Sequence, residues 1–71
     1  MKIYVFKTTV LARSQVQKLG PMLNRLAGEG DRWNFDLEDC DNILRVETKT
    51  LKATTVASLL HNNGFHCEEL H

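Results

Sequence analysis

Cysteine is scarce in this 71-residue chain. Cys40 and Cys67 are the only two, too few for the stapled framework of a small secreted domain. Glycine occurs four times and proline once, which excludes a collagen-like repeat and a low-complexity linker. An excess of either charge is also missing, since nine Lys and Arg balance nine Asp and Glu. No long-range positive field is therefore available to gather nucleic acid or an anionic membrane surface. No apolar run approaches the roughly 20 residues of a membrane span, so membrane insertion is not expected. Residues 1–7 lack the apolar stretch and cleavage site of a signal peptide, and the expectation is a cytoplasmic chain with both thiols reduced.

What remains is an ordinary globular composition, 42% hydrophobic and 25% charged. The length allows one core and no second domain, so residues 1–71 read as a single domain, and a chain this short buries only about 60% of its unfolded surface.

Residues 2–8 alternate β-branched and aromatic side chains, with Ile3 and Val5 on one face and Tyr4 and Phe6 on the other, as in a central strand. Ser14 followed by Gln17 fits a capping box. Val16, Leu19, Leu23 and Leu26 then recur at helical spacing, with a kink or distorted turn expected at Gly20-Pro21. After a loop at residues 28–31, Trp33, Phe35 and Leu37 alternate with Asn34, Asp36 and Glu38, which marks a strand with one buried face. Asp39, Cys40, Asp41 and Asn42 have turn chemistry, and residues 43–48 complete a hairpin. Ala53, Val56, Ala57, Leu59 and Leu60 mark a second helix, closed by Asn62, Asn63 and Gly64, with a last strand over residues 65–70. Strand, helix, hairpin, helix, strand predicts an α+β fold of ferredoxin-like βαββαβ type: a four-stranded antiparallel sheet with both helices on one face.

That topology gathers Lys7, Thr8, Thr9, Asp39, Cys40, Asp41, Asn62 and Asn63 at one end of the sheet, beside the free N–H groups that open the first helix. Cys40 between two aspartates is the sharpest local feature. It reads either as a metal ligand helped by Asp39, Asp41, Thr8 or Thr9, or as an exposed turn thiol that neighbouring acids keep protonated and unreactive; the second reading is favoured, and no metal site is expected. Cys67 is in phase with Phe65 and reads as a small core residue. His61 near a helix end and His66 out of phase with its strand read as surface residues, and neither HxxxH nor CxxC spacing occurs.

Asp36, Glu38, Asp39 and Asp41 read as a solvated face, not as an acid–base pair, so no catalytic residue, cofactor or enzymatic activity is expected. Tyr4 and Phe6 are expected on the open sheet face with Arg45 and Glu47, an arrangement reminiscent of base-stacking modules. The RNP signature is missing and acids stand where such modules carry cations, so nucleic acid is not an expected partner.

With Leu23-Asn24-Arg25-Leu26 near the end of the first helix, the hairpin, and a final strand after Gly64-Phe65, the chain resembles the heavy-metal-associated domain family of small copper chaperones. The stretch from Trp33 to Asp41 also resembles one in small bacterial proteins of this type. That family holds soft metals through CxxC in the loop before the first helix, where this chain has Val10-Leu11-Ala12-Arg13-Ser14-Gln15. The resemblance implies the scaffold and the family's habit of docking partners through the loop end, without the Cu(I) or Zn(II) site.

The leading expectation is a non-enzymatic domain that binds a protein partner or itself, through Thr8, Thr9, Asp39, Cys40 and Asp41 at the loop end or through the open sheet face. The alternatives are a degenerate metal carrier using Cys40, and a small-ligand-sensing dimer like the ACT domains.

Overall fold

The computed structural model describes residues 1–38 and 41–70. Strand β1 (Lys2–Thr8) has the bounds its alternation predicts, followed by α1 (Arg13–Leu26), β2 (Arg32–Asp36), β3 (Ile43–Thr48), α2 (Ala53–Asn62) and β4 (Cys67–Glu69). The sheet order is β2-β3-β1-β4 and every neighbouring pair is antiparallel, so the fold is α+β and ferredoxin-like.

Register decides which face is buried. Phe6 lies opposite Leu44 and Tyr4 opposite Val46, and cross-strand neighbours share a face. Phe6, Leu44 and Val46 meet Leu19 and Leu23 of α1 and Val56 and Leu60 of α2 in one core. Tyr4 packs on its margin and donates its hydroxyl hydrogen to the Leu51 carbonyl at 3.0 Å. The expectation that Tyr4 and Phe6 face the open side with Arg45 and Glu47 is therefore corrected. Both faces of β1 are apolar, but only the other one, with Ile3 and Val5, lies opposite the hydrophilic positions of β3: Ile3 faces Glu47 and Val5 faces Arg45. The open face is thus mainly polar, with Lys7, Arg32, Asn34, Asp36, Arg45, Glu47 and Glu68 around Val5, Ile43 and the 53% exposed Ile3.

The first helix starts differently from the capping-box expectation. Its N-cap is Ala12, and Ser14 lies within the helix. Gln15 reaches back instead, its Oε1 accepting from the backbone N–H groups of Leu11 at 2.7 Å and Ala12 at 3.1 Å. This is the reverse half of a capping box, supplied where Ala12 has no side-chain acceptor. Pro21 is held inside α1, which continues to Leu26. The adjoining Gly20 is buried, and a Cβ there would approach the Trp33 ring to 3.2 Å, so the missing side chain is what lets the indole lie against the helix.

The end of α2 follows the sequence. Gly64 takes φ +87°, the left-handed region open to glycine. Its N–H donates to the His61 carbonyl and that of Phe65 to Leu60, the pair of bonds that closes a Schellman cap. β4 is shorter than the expected 65–70, because His66 bonds across to Thr9 outside the regular ladder.

Candidate functional site

The end of the sheet that carries the C-terminus of β1 assembles much as its connectivity requires. Thr8 is 4% exposed. Its hydroxyl donates to the Asn42 carbonyl at 2.6 Å and accepts from the Val10 N–H at 3.2 Å, while its backbone N–H donates to the Asp41 carbonyl. Thr9 accepts the His66 N–H on its hydroxyl at 2.8 Å and returns its own N–H to the His66 carbonyl. Lys7 Nζ lies 3.6 Å from an Asp41 carboxylate oxygen in an exposed ion pair, of the kind that contributes little to stability. Asn42 carries the turn at φ +49°, a conformation asparagine tolerates through local side-chain hydrogen bonding.

Thr8, Thr9 and Asp41 are therefore brought together, whereas Asp39 and Cys40 lie outside the described residues. The two threonine hydroxyls act here as struts between loops. The same end holds His61, whose Nε2 is 3.2 Å from the Cys67 carbonyl and whose ring centroid is 6.1 Å from that of His66. His66 in turn stands 4.0 Å from Glu68. Among the described residues no group of three His, Cys, Asp or Glu side chains is placed to hold a metal ion.

Cys67 is 5% exposed in the core. Burial pushes its thiol pKa up to about 11, because a thiolate there would lose its hydration. At pH 8 the thiolate fraction of a group with pKa about 11 is on the order of one in a thousand. Iodoacetamide at that pH is expected to leave Cys67 unmodified in the native chain and to alkylate it in urea. Peptide mass mapping checks this, and rapid native labelling of Cys67 would contradict the packing.

Sequence reasoning missed a second feature. Between α1 and β2 lies an open cleft of about 520 Å³, lined by Arg13, Val16 and Gln17 on the helix and by residues 33–38 on the strand side. Trp33, Phe35 and Leu37 are half-buried along it. Trp33 and Phe35 meet edge to face at 6.0 Å, a favoured aromatic geometry. The Trp33 indole N–H donates to Asn24 Oδ1 at 2.8 Å, which holds the ring against α1. Arg13 begins α1 and Leu37 follows β2, so the cleft opens at the same end of the sheet as Thr8, Thr9 and Asp41. The alternation of Trp33, Phe35 and Leu37 was a visible signal for a buried face. That the helix covers this face only in part follows from β2 being an edge strand. Compared with protein-family models, with curated proteins and with solved structures, the chain has no match.

Proposed function

We propose that this chain is a non-enzymatic binding domain that takes an extended protein segment along the outer edge of β2, on a scaffold of the heavy-metal-associated kind that lacks the CxxC ligands. The observation that carries this reading is the coincidence of two features in one place. β2 is a sheet edge, with one row of backbone N–H and C=O groups directed away from β3, and the cleft beside it is floored by Trp33, Phe35 and Leu37. Strand addition uses that combination: main-chain hydrogen bonds supply affinity, and a neighbouring pocket receives alternate side chains. Thr8, Thr9 and Asp41 lie at the end of the sheet toward which the cleft opens, where they would contact a partner running past the end of β2.

The test is site-specific photo-cross-linking in cells. A photoreactive residue at Asn34, exposed on β2, is expected to give covalent adducts with protein, and the same residue at Thr54, exposed on α2, is expected to give none. Adducts from both positions alike, or from neither, would sink the proposal.

A further inference from the structure

We infer that the segment added to β2 is β2 of a second copy of this chain, paired antiparallel about a twofold axis through Asn34; this deepens the reading just given and rests on it. The strand Arg32-Trp33-Asn34-Phe35-Asp36 is self-complementary when reversed. In that register Arg32 of each copy stands opposite Asp36 of the other, Trp33 opposite Phe35, and Asn34 opposite Asn34. The members of every pair have the same parity along the strand, so both direct their backbone groups outward or both inward, as an antiparallel ladder requires.

Both faces of the new pairing are matched. On the open face two Arg–Asp pairs form, one on each side of the axis. Arg32 and Asp36 are exposed, and neither has an ion-pair partner among the described residues. On the helix face Trp33 of one copy meets Phe35 of the other, extending the edge-to-face pair already present within each chain. Cross-strand aromatic and opposite-charge pairs are the units from which sheets gain stability. Sliding the register so that Trp33 faces Trp33 loses both charge pairs.

The two edges of the sheet differ in the way such an association needs. β4 is only Cys67–Glu69, and pairing it with itself sets Glu68 against Glu68, a like-charge contact that disfavours addition. β2 contains neither lysine nor proline, the residues that commonly guard an edge. The product is a closed, isologous dimer with one continuous sheet.

Sedimentation velocity of the full chain over a concentration series is expected to show a monomer–dimer equilibrium. Arg32→Asp and Asp36→Arg each set like charges opposite one another twice, and each is expected to weaken the dimer about tenfold. Both side chains are exposed, so the far-UV circular dichroism should not change. An equimolar mixture of the two variants is expected to recover the wild-type affinity, because every acid then faces a base. A wild type that sediments as a monomer throughout, or a dimer indifferent to both substitutions, overturns the inference. Weakening by Glu38→Arg but not by Asp36→Arg overturns the register. A monomeric chain that still cross-links from Asn34 to another protein overturns self-pairing alone, and a chain with no adducts loses both readings.

Discussion

Phe6→Ala is expected to leave the chain largely unfolded at 37 °C. Phe6 is fully buried at the centre of the sheet, between β3 and β4 in register with Leu44 and Glu69, and beneath both helices. Removing a buried phenylalanine side chain costs about 3–5 kcal/mol, the lost transfer free energy plus the cavity left behind. Small domains are stable by roughly 0.05–0.15 kcal/mol per residue, so 71 residues give a total on the order of 4–10 kcal/mol. The cavity term takes a large share of that total, and this site cannot collapse because backbone ladders hold β1 on both sides. Phe6→Leu keeps most of the volume and is expected to cost under about 1.5 kcal/mol. Urea titrations followed by far-UV circular dichroism separate the two. An alanine variant whose midpoint stays near that of the leucine variant would mean that Phe6 does not anchor the core as described. The same variant would lose association through β2, since β2 is attached to the sheet only through β3.

The bounds of β1 and β3, the presence of both helices and the four-stranded antiparallel sheet were legible because apolar period and turn chemistry agreed at each step. Asn63-Gly64 announced its cap, and the cap is there. The face of β1 was not legible from β1 itself, since Ile3 and Val5 are as apolar as Tyr4 and Phe6; only the pairing with Arg45 and Glu47 resolves it. Ser14 and Gln17 matched a capping pattern by spacing, but Gln15 already reaches the two N–H groups that need an acceptor, and the helix is capped two residues earlier, at Ala12. Thr8 and Thr9 were legible as neighbours of the hairpin. Their use as loop struts was not, because the bonds run to backbone groups 34 and 57 residues away. The cleft escaped notice for a different reason: alternation at Trp33, Phe35 and Leu37 reports that a face is apolar, not how far the covering helix extends across it.

Thr48→Val is the second large effect, expected to destabilise the chain by about 1–3 kcal/mol through polar groups left without partners. Thr48 is fully buried. Its hydroxyl donates to Asp31 Oδ2 at 2.7 Å and accepts from the N–H groups of Thr50 at 3.2 Å and Leu51 at 3.0 Å. Valine keeps the shape and removes all three bonds. Asp31 also accepts from the N–H groups of Gly28 at 2.9 Å and Lys49 at 3.2 Å. The Thr48 hydroxyl above all, and then the Gly28 amide, hold its carboxyl below the ordinary 3.8.

A carboxyl whose pKa is lower folded than unfolded contributes stability that is fully present above the unfolded value and lost as pH falls through the folded one. The gap between wild type and Thr48→Val is therefore expected to be constant from neutral pH down to about 3.8 and to narrow below it, as Asp31 gains a proton in both chains. Urea midpoints measured at pH 7 and pH 3 check the sign; a gap that widened in acid would remove Asp31 from the account. The brace also bears on association. Asp31 immediately precedes Arg32, so the bonds to Thr48, Gly28 and Lys49 fix where β2 begins and hence where Arg32 stands relative to Asp36 of a second copy. Thr48→Val is accordingly expected to weaken the dimer together with the fold, although Thr48 lies on β3 and never meets the edge. Asn34→Ala, which leaves the brace intact, is expected to change stability far less.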